Sequence, residues 1–461
     1  MAVGKMDLTG KTVTGRTITE TKIIDSLRSE FARQFYIERR SNKFLLINPE
    51  NSSWAIVNKD TYDLLGNASF SQSEKLIVGG IRSALRVDES SCKSFTQNRN
   101  KKIGLAVLHT TNGCNLACRY CYAFSDSKKI MTPDVSKRVV DRIREYDSFP
   151  FHLEFHGGEP VSRMPLIQET MEYISAQGLQ EKLNVTIQTN ATLITPGIAK
   201  FFKRHNIHVG VSIDGPAEVH NRNRVYPDGI GSFSNTLRGV RYLQEEGVNI
   251  GVCSVLTDPE DLRCYPKFAD EIGIGSIKFG PYFSSQGRSE LETPDDFREK
   301  YPIEMLALMD RIVESKSKLK VRNLSNLLKN IITPSRNYMC MRFPCGAGSS
   351  MMGIGTDGEA YPCEEMNGKQ NLIVGNIFEK DFDQLYQNPI NHGLRNRDIS
   401  GLEDCAACHS KNICSVTCAN KSYNESEGFN TKDSNCEYYK TIIPELMWRV
   451  YESPQETQNL I

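Results

Sequence analysis

The middle of the chain, from residue 103 to about residue 318, alternates short apolar runs with stretches of helical apolar spacing. Short apolar runs predict buried strands, and apolar residues three and four positions apart predict the helices between them. Continuous apolar strands joined by helices are typical of a parallel sheet, so the pattern predicts an α/β fold in which six βα units form a partial barrel. The predicted strands are 103–109, 151–156, 184–189, 207–213, 249–256 and 275–281.

The residues before this region show a different pattern. Residues 1–30 are expected to pack lightly, whereas apolar and polar residues alternate from about Phe35. Turn residues at Asn48-Pro49-Glu50-Asn51 separate two of the apolar runs, and helical spacing follows from Tyr62 to Ile81. Two or three short strands followed by helices therefore predict a small α+β domain within residues 1–95. Residues 90–102 are predicted to be a linker.

After residue 320 helical spacing fades and cysteines become frequent. The stretch from Gly353 to Tyr361 predicts a hairpin that turns at Asp357-Gly358. Apolar residues from Tyr439 to Val450 predict an amphipathic closing helix. We therefore expect four parts, at 1–95, 103–318, 320–440 and 441–461.

Composition narrows the class of protein. The 461 residues favour two or three domains, since domains run to roughly 150 residues each. The 56 basic residues balance the 56 acidic residues, which gives no reason to expect nucleic acid or an anionic membrane as a partner. No apolar run approaches the ~18 residues of a membrane span and the polar start has no signal-peptide core, so a cytoplasmic location is expected. In such a chain, 14 cysteines indicate metal binding rather than disulfides.

Most of the cysteines fall in two clusters, and the first is Cys114-x3-Cys118-x2-Cys121, directly after a predicted strand. Three thiolates at this spacing fit a loop that folds around one small object. They are one short of the four that a cubane iron–sulfur cluster normally takes, so one iron would stay open to an outside ligand. A zinc loop and three unrelated buried thiols are the alternatives at this point. The three cysteines outside both clusters, to which we assign no role, are Cys92, Cys253 and Cys264.

Further motifs follow the cysteine loop, each just after a predicted strand. They are His156-Gly157-Gly158-Glu159-Pro160, Gln188-Thr189-Asn190-Ala191-Thr192, and Ser212-Ile213-Asp214-Gly215-Pro216 with Arg224 behind it. Together with Tyr120 before the third cysteine, this set resembles the radical S-adenosylmethionine (SAM) enzymes. The resemblance implies a partial (β/α)6 TIM barrel in which Cys114, Cys118 and Cys121 hold a [4Fe–4S] cluster. SAM would fill the open iron and be cleaved by one electron to a 5′-deoxyadenosyl radical.

The same resemblance implies which residues contact SAM. The GGEP-like motif from His156 to Pro160 would border the methionine moiety, where Gly157 and Gly158 allow the backbone to approach closely and Glu159 accepts from the ammonium group. Arg224 would offer a cation to the carboxylate. The residues expected at the ribose and the adenine are Asn190, Ser212 and Tyr120.

The second cysteine cluster reads Cys405-x2-Cys408-x5-Cys414-x3-Cys418, with Cys436 downstream. Together with three upstream cysteines it resembles the SPASM domain, which carries two auxiliary [4Fe–4S] clusters and brings the expected total to three. The resemblance assigns the first auxiliary cluster to Cys340, Cys345, Cys363 and Cys418. It assigns the second to Cys405, Cys408, Cys414 and Cys436. Zinc bound by cysteine pairs is the alternative, and Cys340 is the ligand that some relatives lack.

Glu364 directly follows Cys363. In sulfatase-maturing relatives this place holds an aspartate base, so the resemblance implies that Glu364 accepts a proton; a surface role is the alternative. The N-terminal part resembles the small winged-helix-like, PqqD-like domain that recognises leader peptides through a sheet edge. A capping domain or a dimer contact is the alternative there.

The combination favours an oxidoreductase that installs a thioether or carbon–carbon crosslink in a ribosomally synthesised precursor peptide. The alternatives are a sulfatase-maturing enzyme that makes formylglycine and a non-catalytic iron–sulfur electron-transfer protein. The expected partners are the precursor peptide and a flavodoxin or ferredoxin reductant, without nucleic acid or membrane.

Overall fold

The computed structural model describes residues 34–65, 67, 69–86, 102–121, 128–282, 291–333, 338–398, 401–414, 418–432 and 435–461. Residues 1–30, Cys92 and most of the predicted linker at 90–102 lie outside the described residues.

The N-terminal part contains the expected short strands and helices. Three antiparallel strands are followed by two capped helices: Asn58 accepts from the backbone N–H of Thr61, and Ser71 and Glu74 form a capping box. The elements are β1 (Tyr36–Arg40), β2 (Lys43–Ile47), β3 (Trp54–Asn58), α1 (Lys59–Leu64) and α2 (Gln72–Ala84).

All six predicted strands of the central region are present, and each pairs in parallel with the next along the chain. They are β4 (Leu105–Thr111), β5 (Phe151–Gly157), β6 (Leu183–Thr189), β7 (His208–Ser212), β8 (Ile250–Leu256) and β9 (Ser276–Pro281). The helices of this region are α3 (Pro133–Tyr146), α4 (Met164–Ala176), α5 (Pro196–Arg204), α6 (Ala217–Asn223), α7 (Phe233–Glu245), α8 (Tyr265–Ile272) and α9 (Phe297–Ser315). The predicted parallel α/β core is therefore confirmed.

The C-terminal part continues the same sheet, which the sequence did not predict. The strands β10 (Lys320–Val321), β11 (Met351–Ile354), β12 (Glu359–Tyr361) and β13 (Gly375–Asn376) extend it to ten strands, in the order β10-β9-β8-β7-β6-β5-β4-β11-β12-β13. β11 pairs in parallel with β4, and β11 and β12 form the predicted antiparallel hairpin. The hairpin thus lies beside the strand that leads into the cysteine loop.

The remaining helices follow or flank these strands. They are α10 (Arg322–Ile332), α11 (Phe382–Tyr386), α12 (Pro389–Arg395), α13 (Glu403–Ala406), α14 (Lys411–Cys414), α15 (Ala419–Ser426), α16 (Cys436–Glu452) and α17 (Pro454–Asn459). The apolar face of α16, including Ile442, Leu446 and Val450, is buried in the main core as its pattern predicted.

The N-terminal sheet packs on both faces. One face covers α1 and α2, and the other contributes Leu45, Ile47, Trp54 and Ile56 to the main hydrophobic core. Two indole N–H groups tie the domain to the body: Trp54 donates to the Ile331 carbonyl (3.1 Å), and Trp448 of α16 donates to Glu38 (2.9 Å).

An aromatic contact joins the C-terminal part to the barrel and gives a stability prediction. Phe382 is fully buried and stacks on Phe151, with ring centroids 5.8 Å apart. Phe382→Ala should lower the free energy of unfolding by about 3–5 kcal/mol, because it leaves a cavity between α11 and β5. Phe378→Ala is the control, since that ring is 48% exposed and its loss should change stability by less than about 0.5 kcal/mol. Urea unfolding under anaerobic conditions compares the two, and equal losses would contradict the packing described.

Candidate functional site

The three cysteines of the first motif lie in the loop after β4 and interact with one another. The pKa of the Cys114 thiol is raised to about 12, chiefly by desolvation, and the neighbouring Cys118 and Cys121 contribute to that rise. Burial likewise raises the pKa of Cys118 to about 11. None of the three forms a disulfide. Of the three residues only Cys118 is buried, so the group remains accessible to a ligand. Thiolates that repel each other fit a cationic metal centre, because its positive charge would offset that repulsion.

Gly158 and Glu159 of the GGEP-like motif hold the start of the cysteine loop by backbone hydrogen bonds. The N–H of Gly158 donates to the Thr111 carbonyl (2.7 Å), and the N–H of Glu159 donates to the Gly113 carbonyl (3.0 Å). A Cβ on Gly158 would come within 2.1 Å of the Gly113 oxygen. The sequence argument explained this glycine by close approach to a ligand, but in the structure the space is taken by the protein's own backbone.

Glu159 also differs from its expected role. Its side chain is completely buried and accepts hydrogen bonds from the Val161 N–H (3.0 Å), the Thr189 hydroxyl (2.6 Å) and the Asn190 N–H (2.8 Å). The carboxylate therefore has no exposed surface for the ammonium group of a ligand. Pro160 follows it as the first residue of a short 3₁₀ helix, so this part of the motif joins the ends of β5 and β6.

Tyr120 and Arg224 meet at Asp214, a residue that the sequence analysis did not single out. The Arg224 guanidinium donates to both Asp214 oxygens (2.9 and 3.0 Å), and the Tyr120 hydroxyl also hydrogen-bonds this carboxylate. The guanidinium lies 5.3 Å from the Tyr120 ring centre. The cation expected for a ligand carboxylate is thus paired with a protein carboxylate, and all three residues are buried. The position of Asp214 in the motif Ser212–Pro216 was the available signal.

Asn190 and Ser212 lie at different places. The Asn190 amide donates to Asn115 (2.9 Å) and lies 3.8 Å from the Cys114 sulfur, so it borders the cysteine loop. Ser212 accepts from the Gln188 amide (2.9 Å) and faces the inside of the barrel.

A polar chamber lies inside the barrel. Strand register places Glu154 and His156 of β5 on the inner face, beside Val107 and His109 of β4. The same rule places Gln188, Ser212, Cys253 and Lys278 on that face of the following strands. The sequence analysis had assigned Ser212 and His156 but missed Glu154, His109 and Lys278. Polar residues at alternate positions of Phe151–Gly157 were the signal for Glu154.

Glu364 enters the same chamber from the C-terminal part. Gly353 of β11 makes this possible, because a Cβ there would lie 2.9 Å from the Cys363 carbonyl. The Glu364 carboxylate lies 3.4 Å from Nε2 of His156, while Nδ1 of His156 accepts from the Gly157 N–H (2.8 Å). The imidazole proton is therefore on Nε2 and points at Glu364.

One oxygen of Glu154, one of Glu364 and a nitrogen of His156 lie within 4.8 Å of one another, as metal ligands would. A metal-bound histidine normally donates its other N–H to a neighbour. In this chain Nδ1 accepts instead, so the cluster fits a hydrogen-bonded proton site better than a metal site. Burial raises the pKa of Glu364, and His156 partly offsets that effect.

His109 contributes an open hydrogen-bonding position. It is 3% exposed, its Nδ1 is paired with Asn367 (2.9 Å), and its Nε2 has no partner among the described residues. Burial, with His156 nearby, lowers the pKa of His109 to about 3, so the ring is neutral at physiological pH.

The eight C-terminal cysteines lie in two groups, with the same members as the two sets that the SPASM resemblance implies. Burial raises the pKa of Cys363 and Cys418, and the other thiols of the first group add to this: Cys340 and Cys418 act on Cys363, and Cys345 acts on Cys418. The second group, which lines one pocket, is Cys405, Cys408, Cys414 and Cys436. All eight are free thiols, which fits two further metal centres.

Among the described residues, no helix combines the length and the apolar character that a membrane crossing requires.

Comparisons with known proteins agree with this arrangement. The profile of the Radical SAM superfamily matches residues 108–272, and that of the SPASM iron–sulfur cluster-binding domain matches residues 345–409. A cysteine-type anaerobic sulfatase-maturating enzyme of Clostridium perfringens strain 13 is 24% identical over 68% of this chain and 88% of its own. A serine-type anaerobic sulfatase-maturating enzyme of Bacteroides thetaiotaomicron is 25% identical over 66% of this chain and 80% of its own.

Two solved structures show the same fold. Native anSMEcpe with bound AdoMet has a TM-score of 0.67 and 22% identity, and the match covers 77% of this chain and 100% of that one. SuiB of Streptococcus suis bound to the precursor peptide SuiA has a TM-score of 0.57 and 16% identity, over 88% of this chain and 99% of that one. The chain therefore contains a radical SAM domain followed by a SPASM domain, and these domains imply SAM and iron–sulfur clusters.

Proposed function

We propose that this chain is a radical SAM enzyme that installs a crosslink, a thioether or a carbon–carbon bond, in a ribosomally synthesised precursor peptide. The observation that carries the proposal is the chamber, where polar residues of the barrel and Glu364 of the SPASM part face one another beside the cysteine loop. The partly buried acid and imidazole groups of this chamber suit proton transfer to and from a bound substrate.

The proposed ligands are three groups of cysteines. Cys114, Cys118 and Cys121 would hold the SAM-binding [4Fe–4S] cluster, and the two C-terminal groups would hold two auxiliary clusters. When bound, the reduced cluster and SAM supply a 5′-deoxyadenosyl radical. The protein's own part is to orient the substrate and to hold protons.

Glu364 is the proposed proton acceptor. Forming a crosslink removes two hydrogens from the peptide, one as a hydrogen atom taken by the radical and one as a proton with its electron left behind. Glu364 would take the proton. The Nε2–H of His156 would orient the Glu364 carboxylate, and the neighbouring Glu154 would restrict the positions that this carboxylate can adopt. The two C-terminal groups of cysteines would hold the auxiliary clusters, which would supply an acceptor for the remaining electron.

The two solved structures differ in whether their likeness to this chain extends into the N-terminal part. Residues 102–461 are 360 of the 461 residues, about 78% of the chain, so a match over 88% has to extend into the N-terminal part. The likeness to SuiB reaches that part, whereas the 77% of the chain matched by anSMEcpe is no more than residues 102–461 would supply. This difference favours a leader-recognising role for the N-terminal domain.

A sulfatase-maturing activity is the second candidate, supported by the sulfatase-maturating relatives. The two activities leave different products. A crosslink joins two residues and leaves no carbonyl, whereas formylglycine is an aldehyde on one residue. Co-expression with short peptides encoded nearby, followed by tandem mass spectrometry with and without hydroxylamine, separates them. An oxime would contradict the proposed crosslink.

The cofactor assignment predicts a defined iron content. Anaerobically reconstituted protein should hold about twelve irons per chain and form 5′-deoxyadenosine from SAM when reduced. Replacing Cys114, Cys118 and Cys121 by Ala should leave about eight irons and abolish 5′-deoxyadenosine, because the auxiliary ligands remain. Iron analysis and liquid chromatography provide the measurements. Wild-type protein with zinc, or without SAM cleavage, would support a non-catalytic protein instead.

Glu364→Gln should separate SAM cleavage from peptide modification. The amide keeps the shape of the side chain but accepts no proton, so product should fall at least about 100-fold while 5′-deoxyadenosine continues to form. The matched control is Glu379→Gln, an exposed carboxylate outside the chamber. Product yield per 5′-deoxyadenosine is the readout, and an unchanged ratio would rule out Glu364 as the base.

A further inference from the structure

The N-terminal domain contacts the loop that carries two of the four cysteines of the second C-terminal group. This loop runs from Cys408 to Cys414, and its residues Lys411–Cys414 are the helical segment α14. Contacts from other elements to this loop therefore help to fix the positions of these two thiols.

Three contacts from the N-terminal domain meet the loop. The ring of Tyr36 on β1 stacks on His409, with centroids 3.8 Å apart and planes inclined by 24°. The Asn412 amide, which is 2% exposed, donates to the Pro49 carbonyl (2.8 Å). Lys411 forms an ion pair with Glu50 (3.1 Å). The stacked rings and the buried hydrogen bond should stabilise the loop more than the ion pair does, because the Glu50 side chain of the ion pair is exposed to solvent.

The turn that meets Asn412 is itself held firmly. The Asn48 side chain donates to the Leu85 carbonyl at the end of α2 (2.9 Å), and the Asn51 side chain donates to the Arg86 carbonyl (3.0 Å). A continuous series of hydrogen bonds therefore runs from the end of α2, through the turn at 48–51, to the cysteine loop.

We propose that the N-terminal domain supports the loop that carries Cys408 and Cys414, and that Tyr36 and Asn412 are positioning residues for these two cysteines of the second auxiliary cluster site. The inference rests on the proposed ligation by Cys405, Cys408, Cys414 and Cys436, and not on the reaction. The N-terminal domain would then help to hold two of the four proposed ligands of that cluster in place.

The test uses the full chain, reconstituted anaerobically and then challenged with a ferrous chelator. In Tyr36→Ala about four of about twelve irons should be released several-fold faster than in the wild type, and the rest at the wild-type rate. Asn412→Asp, which keeps the shape but loses the amide donor, should accelerate the same fraction. Tyr36→Phe should behave as wild type, because the stacked ring remains.

The matched control is Tyr62→Ala. Tyr62 stacks on Phe44 (3.9 Å) within the same domain, on the face that covers α1 and α2, so its loss should not accelerate iron release. Release of all iron together, equal acceleration by Tyr62→Ala, or no effect of either Tyr36→Ala or Asn412→Asp would overturn the inference.

A further variant identifies which irons are released faster. Cys405→Ala should lack these four irons after reconstitution. If the variant still held them, both the ligand assignment and the inference would be wrong. Failure of the wild-type chain to cleave SAM would contradict the proposed function alone, because iron release does not depend on that reaction.

Discussion

Parallel pairing of β11 with β4 is the constraint on which the arrangement of the site depends. β4 leads into the cysteine loop, and β11 carries the hairpin whose far end holds Cys363 and Glu364. Because the two strands are neighbours in one sheet, the C-terminal part cannot move relative to the barrel without breaking backbone hydrogen bonds. The absence of a side chain at Gly353 then lets Glu364 reach His156.

A second constraint acts at the cysteine loop. Gly158 and Glu159 donate hydrogen bonds to the backbone at the start of the loop, and Asp214, which is paired with Arg224, accepts a hydrogen bond from Tyr120 of the same loop. Removing one partner of a buried ion pair costs about 3–5 kcal/mol, because the other charge is left without compensation. The motif residues thus hold one another and the cysteine loop by contacts within the protein.

The N-terminal domain packs directly against the rest of the chain. Trp54 and its neighbours are buried in the main core, and Trp448 of α16 bonds to Glu38. Because packed interiors have low compressibility, a displacement of the N-terminal sheet would also displace the residues of the main core that contact it.

Local patterns in the sequence determined much of the structure. Apolar runs and helical spacing located the six parallel strands, the hairpin at Asp357-Gly358 and the closing helix, because secondary structure follows from residues close together in the chain. Cysteine spacing likewise separated the two clustered sets of thiols, which are the proposed metal ligands, from the three isolated ones. Only the tertiary structure decided that β11 joins the barrel sheet, that His156 meets Glu364, and that Tyr36 reaches His409. These contacts join residues hundreds of positions apart, and they follow from how whole elements pack, a property that no local pattern encodes.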